Sequence, residues 1–353
     1  MRFHNTLFYG LALLPVALAF WPPFRNTAEI ASGPYANKEP NVKVETLFQF
    51  HNNGSWVHNL VLRPDGNILL TRLDTPEVWL VDATSGEATL AYSFPGVTSC
   101  FGISEIADDV FAVVIGNFST KTYEPTPGSY SVQRLDFANT NRIGGEKNNR
   151  VSAQPAASEI AALPEALALN GMATFSRESN LVLIADSPKG VVWKLDTGTG
   201  DYGIALNDTT MQPAQGQPLP LGVNNVAFLS GYVYYTSTTR MEYCRVKVDK
   251  DANPIGDFEV IASGFLPDNL ELTDDGTAYI PTDPQNSVVR LTPSGQISLV
   301  AGGQISTELA GPTSVRLSKD RQTLYVGTSG GQIAPVLGTF IEPGKVSKIT
   351  FED

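Results

Sequence analysis

One motif recurs six times along this chain, and a period of that kind leaves few folds open: a propeller or a solenoid. Pro267 to Leu291 shows the motif most clearly, as PDNLELTDDGTAYIPTDPQNSVVRL. The polar pair Asp268-Asn269 opens a short strand, and Asp274-Asp275-Gly276 turns the chain. Ala278 to Pro281 and Ser287 to Leu291 supply two more strands, and Ile297 to Ala301 closes the unit after the Pro293-Ser294-Gly295 turn. The alternation and the turn chemistry predict a four-stranded antiparallel meander.

Other copies open at His58-Asn59-Leu60, Asn170-Gly171-Met172, Asn224-Asn225-Val226 and Thr313-Ser314-Val315, with a weaker one at Phe101-Gly102-Ile103. No such sheet buries both of its faces alone, so the sheets must stack around an axis. The expected fold is all-β: a six-bladed β-propeller of four-stranded antiparallel blades over residues 42–353. The last unit shows only three clear strands. Val42 to Phe50 (VKVETLFQF) resembles the fourth strands elsewhere, so this N-terminal strand is expected to complete the last sheet and close the ring.

Two segments interrupt the period. Phe137 to Leu169 begins with a charged, Asn-rich loop and continues through Ala156 to Leu169, where a short helix is expected. Asn207 to Leu221 is rich in Pro and Gln. Both precede an inner strand, which places both on the rim where inner strands begin, and long insertions on one rim commonly build a site or a lid.

Met1 to Ala19 reads as a secretory signal, with Arg2 and His4 ahead of an apolar run and Ala17-Leu18-Ala19 fitting a cleavage site. Residues 20–41 read as a Pro-rich arm. The apolar run is too short for a membrane span, and no later run is long enough. The protein is thus expected to be secreted or held in the secretory-pathway lumen, with N-glycan acceptors at Asn53, Asn117 and Asn207. That compartment permits a disulfide between Cys100 and Cys244, the two cysteines of the chain. A net charge of -12 argues against nucleic acid and anionic membranes as partners.

Aligning the units puts His58, Phe101, Asn170, Asn224, Asp268 and Thr313 at one equivalent position, converging on the axis. Polar groups repeated at a buried position are costly unless they bind something or each other. Either reading stays open: a binding site, or a water-filled plug.

These openings resemble those of the regucalcin/gluconolactonase (strictosidine-synthase-like) six-bladed propellers. That family holds a divalent cation with one Glu, two Asn and one Asp, which unit order carries onto His58, Asn170, Asn224 and Asp268. Imidazole in place of a carboxylate weakens a calcium or magnesium site, so no cofactor is expected, with one divalent cation on the axis as the alternative. The Trp56-Val57-His58-Asn59-Leu60 opening and the signal more closely resemble a secreted fungal branch that includes hetero-Diels–Alderases. The resemblance implies a cyclase joining an apolar terpene such as humulene to a polar aromatic partner, a tropolone-derived quinone methide. The alternatives are a metal-dependent lactonase and a non-catalytic ligand-binding propeller.

On the cyclase reading, His58 would be the acid/base group, since its free pKa is near neutral. Asn170, Asn224 and Asn225 would donate to the tropolone oxygens, and Asp268 would orient or accept a proton. Phe101, Met172 and Tyr243 would wall the terpene. Arg240 and Tyr243 would recognise an enolate-like oxygen. The sequence holds no Gly-rich phosphate loop and no Gly-x-Ser-x-Gly elbow, which argues against nucleotide cofactors and serine hydrolysis.

Overall fold

A computed structural model describes residues 41–138 and 154–352. The expected signal Met1 to Ala19, most of the expected arm, and part of the first insertion lie outside the described residues. Six four-stranded antiparallel sheets are arranged as blades, each contributing its first strand to the axis. The first blade is Val57–Leu62, Ile68–Arg72, Glu77–Val81 and Ala88–Ser93. The second is Ser99–Ala107, Val110–Gly116, Ser131–Asp136 and Ala156–Ala162. The third runs from Leu169–Ser176 to Tyr202–Asn207, the fourth from Val223–Leu229 to Pro254–Ser263, and the fifth from Glu271–Leu272 to Ile297–Gly302. The sixth takes Pro312–Leu317, Thr323–Thr328 and Lys345–Phe351 and borrows Val42–Gln49 from the N-terminal side. The closing strand is therefore where the sequence placed it, paired from Val42 with Phe351 to Gln49 with Lys345.

Each sheet is sandwiched between two others, which explains why runs such as Val110 to Ile115 are apolar on both faces. The buried side chains fall into six clusters, one at each junction between blades. Ile68, Leu70 and Val81 of the first blade, for example, pack on Tyr325 and Val346 of the sixth, so ring closure buries a real core.

Three expectations change. Ala156 to Leu169 is not a helix. Ala156–Ala162 pairs with Ser131–Asp136 as the outer strand of the second blade, because an unpaired third strand offers a full row of hydrogen-bond partners that outweighs alanine's helix preference. The first insertion therefore joins a third strand to an outer strand. Antiparallel order puts that connection on the opposite rim, and only residues 163–168 return to the rim where inner strands start. The cysteines are free: Cys100 is buried between blades one and two, Cys244 between blades three and four.

The feature that positions the site is a repeated break in register. Pairing slips between Val57 and Asn59, Cys100 and Ile103, Leu169 and Met172, Val223 and Val226, and Pro312 and Ser314. In the fifth blade the regular inner strand shrinks to Glu271–Leu272, leaving Asp268 and Asn269 ahead of it. Such bulges re-aim side chains and recur beside functional sites. Here they open the inner strands of five blades, and blade five opens irregularly at the same point of the repeat.

Candidate active site at the axis

The breaks produce two layers. The outer one takes in His58, Phe101, Asn170, Asn224, Asp268 and Thr313, with Asn170 and Phe101 beside His58 and Asn224 beside Asp268. Beneath it Asn59, Gly102, Gly171, Asn225, Asn269 and Ser314 form a belt. Asn59 Oδ1 accepts from Leu60 N at 2.9 Å and from Ser314 Oγ at 3.1 Å. Asn269 Nδ2 donates to Ser314 Oγ at 3.2 Å, and Asn225 Nδ2 donates to Asn269 Oδ1. Asn225 also accepts from Val226 N at 2.8 Å, so its carboxamide is spent on the belt rather than offered to a ligand. A Cβ on Gly171 would lie 2.2 Å from Asn225 Oδ1 and 2.8 Å from its Cα. Gly171→Ala is therefore expected to destabilise the fold by about 2 kcal/mol, read as a lower denaturant midpoint at unchanged slope.

The outer layer is held from behind. Asn170 Nδ2 donates to Ser187 Oγ at 3.0 Å, and Ser187 donates to Val223 O at 2.7 Å. Asn224 Nδ2 donates to Thr238 Oγ1 at 3.0 Å, and Thr238 donates to Pro267 O at 2.8 Å. Both amides are thereby oriented by groups outside the axis. Thr313 Oγ1 donates to Val57 O at 2.7 Å and ties two blades together.

His58 is neutral. Burial drops it to about 4, against weaker support from the Phe101 backbone and Asn170, and its Nδ1 is buried without a partner. The same physics acts oppositely on the carboxylates. Burial and the neighbouring Asp283 push Asp268 well above the carboxylate range, with Asn224 opposing. Asp283, at the end of the second strand of the same blade, is pushed by burial up to about 7. Its Oδ2 accepts from Ser329 Oγ at 3.2 Å, while Oδ1 is buried without a partner. The near-neutral group at the axis is thus Asp283 and not His58. In the sequence Asp283 stands out only as one of several loop residues. The available signal was an aspartate in a loop, Thr282 to Asn286, that holds no cation.

A second feature that the repeat does not reveal is aromatic. A small hairpin, Phe118–Ser119 with Glu124–Pro125, rises from the second blade on the site rim. Phe118 lies 6.3 Å from Phe101, Tyr130 lies 5.4 Å from Phe101, and Phe101 lies 5.4 Å from His58, measured between ring centres. Tyr123 sits 6.4 Å from Trp56 and donates to Gln332 O of the sixth blade at 2.9 Å. Trp56, Phe101 and Tyr130 are thus buried in the top of the core beside blade two, with Phe118 and Tyr123 packed against it, next to the polar outer layer.

Arg240 and Tyr243 stand elsewhere. Tyr243 is on the third strand of its blade, 2 % exposed, stacked 6.0 Å from Tyr234 in the core between blades four and five. Arg240 is half-buried in the loop before that strand, 3.4 Å from Glu242. Met172 is buried in the core between blades two and three and reaches the channel only below the belt.

The donor set does not suit a calcium-type cation. Hard cations take six to eight oxygens with several carboxylates. The outer layer offers two amide oxygens, an imidazole and the Asp268 carboxyl group, with Asp283 beside it, and burial favours both acids in their neutral forms. Among the described residues no three His, Cys, Asp or Glu side chains are grouped to hold a metal.

No family model matches the chain. A provisionally named hetero-Diels-Alderase from Phoma sp is 27% identical over 305 residues, covering 78% of this chain and 83% of the relative. Another from Sarocladium schorii is 28% identical over 341 residues, covering 84% and 81%. Regucalcin from Agrobacterium tumefaciens superposes with a TM-score of 0.60 at 14% identity, covering 88% of this chain and 95% of its own, a likeness of fold alone. The resemblance read from the inner-strand openings agrees with both, and the sequence relatives support a propeller cyclase.

Proposed function

We propose that this chain is a hetero-Diels–Alderase-type cyclase of fungal secondary metabolism, uniting a tropolone-derived quinone methide with a sesquiterpene such as humulene. The observation that carries this reading is the grouping of aromatic rings, Trp56, Phe101 and Phe118, beside the polar residues His58, Asn170, Asn224 and Asp268 at the opening of the inner strands. Such a grouping suits two partners of unlike polarity. Holding them in contact converts a bimolecular cycloaddition into a unimolecular one.

The chain's residues fit the steps as follows. The terpene lies against Phe101, Phe118 and Trp56. The tropolone oxygens face Asn170 and Asn224. Protonated Asp283 gives its proton to the departing hydroxyl of the precursor, and water leaves. The ring hydroxyl proton passes to solvent, leaving the quinone methide, and solvent returns a proton to Asp283, while His58, held neutral by burial, carries none. The cycloaddition then forms one C–O and one C–C bond while two π bonds become σ bonds, so no proton moves. A donor held on the heterodiene oxygen lowers that barrier.

The test is product analysis of the hydroxymethyl tropolone precursor incubated with humulene. A faster reaction giving one stereoisomer supports the reading. Rate and isomer ratio equal to the protein-free mixture defeat it. Dialysis against EDTA is expected to leave turnover within about twofold of the untreated protein, since no step uses a metal. Loss of activity restored by calcium or zinc would favour the lactonase reading instead.

Placement in the secretory pathway belongs to the same proposal, supported by the sequence of residues 1–19 and by the exposure of Asn53 and Asn207.

A further inference from the structure

The axis holds a cavity at the end away from the candidate active site. Three residues past the outer layer, the inner strands bring Val61, Ser104, Ala173, Ala227, Glu271 and Arg316 to one height, one from each blade. These residues line a cavity of about 210 Å³, and the belt separates it from the candidate active site. Ala173 and Ala227 are small where a larger side chain would fill the channel. Met172, Val226, Leu270 and Phe228 give it apolar walls.

The cavity holds one acid and one base, Glu271 and Arg316; burial pushes the acid up and the base down, and each opposes the shift of the other. Arg316 Nη1 donates to Val315 O at 2.7 Å and reaches Leu270 O at 3.4 Å, and Nη2 reaches Asn59 Oδ1 of the belt at 3.4 Å. Glu271 Oε1 accepts from Leu317 N at 3.3 Å. Between the two, Arg316 Nη1 and Glu271 Oε2 stand 3.7 Å apart, beyond hydrogen-bond contact. Ser104 and Thr174 bond each other at 2.8 Å and are satisfied. The guanidinium and the carboxylate are thus the groups still able to take a partner.

A ligand of net charge would leave one of these two charges facing a like charge at low dielectric, which is costly. A dipolar ligand satisfies both at once. We propose that this cavity is a binding site for a small zwitterion of the α-amino acid type, its carboxylate on Arg316, its ammonium on Glu271, and its short apolar side chain toward Met172 and Phe228. The one-carbon separation of the two charged groups in an α-amino acid matches the loose Arg316–Glu271 pair, which such a ligand would bridge. The site is independent of the cyclase reading, since it shares no outer-layer residue with it.

Isothermal titration of the full chain with L-alanine tests this, with acetate and methylammonium as half-ligand probes. Saturable alanine binding, at least tenfold tighter than either half-ligand, is expected. Glu271→Gln should weaken it tenfold or more. Ala173→Leu, which fills the cavity without touching either charge, should abolish it while the melting transition remains cooperative. Asp283→Asn should leave it unchanged. Absence of alanine binding by the unmodified protein overturns the site, as does acetate binding as tightly as alanine. Loss of binding in Asp283→Asn would move the ligand to the other end of the axis and overturn it equally.

Discussion

Asp283→Asn is expected to slow formation of the cyclised product from the hydroxymethyl precursor by roughly 10² to 10⁴, the usual worth of a positioned acid. It should also change how stability depends on pH. In the folded protein Asp283 sits at about 7, against an ordinary 3.8. Between those values the folded state holds a proton that the unfolded state has released. Stability therefore falls as pH rises through this window and levels off above it. Each tenfold change in proton affinity is worth about 1.4 kcal/mol, so the full effect is on the order of 4 kcal/mol. His58 acts in the opposite sense: held at about 4 against 6.5, it makes stability rise with pH between those values. The two nearly cancel between pH 4 and 6.5, so Asp283 shows most cleanly from pH 6.5 upward, together with Asp268, which has the same sign. Asparagine mimics the neutral acid at every pH. The variant should melt higher than the parent at about pH 8 and at nearly the same temperature at about pH 4, as read by calorimetry. A variant that melts lower at the higher pH, or that turns over at the parental rate, would remove Asp283 from its role.

Deleting Val42–Gln49 is expected to have the largest effect on the fold. The strand supplies the whole outer edge of the sixth blade through its pairing with Lys345–Phe351. Val42 and Val44 pack on the core between blades five and six, and Leu47 and Phe48 on that between blades six and one. Partly burying four such side chains is worth on the order of 3 to 6 kcal/mol, a large share of the total stability of a domain. The truncated chain should lose its cooperative transition or aggregate through the opened edge. A gentler probe is Gly86→Ala, whose Cβ would fall 2.2 Å from Leu47 O and whose φ of +75° already disfavours a side chain. A truncation that melts at the parental temperature would show that the ring does not depend on this closure.

The repeat told most of the fold because blades are built from local signals: Asp-Gly turns, period-two strands and polar openings all recur at a fixed spacing. It also told the axial height of His58, Asn170, Asn224 and Asp268, since equivalent positions in a closed ring must share a layer. What it could not tell was burial. His58 looked like a proton shuttle because its free pKa is near neutral, yet a desolvated site without a counter-charge penalises the cation and raises carboxyl groups instead. Asn225 was indistinguishable from Asn224 in sequence, although one faces the channel layer and the other locks the belt. Tyr243 follows the rim loop in sequence but lies on the third strand in the core between blades four and five, and Arg240, within that loop, is drawn to Glu242. The Phe118 hairpin carries no repeat signal at all, because it is an insertion into one blade only.

The central claim is that the axial pocket itself holds both partners in one orientation. Its most direct test is the stereoisomer ratio formed from humulene and a quinone methide generated without the protein, so that dehydration plays no part. A single stereoisomer is expected from the parent and equally from Asp283→Asn, falling toward the uncatalysed ratio when Phe101 and Phe118 are cut to alanine. A parental ratio no different from that in buffer would contradict the claim.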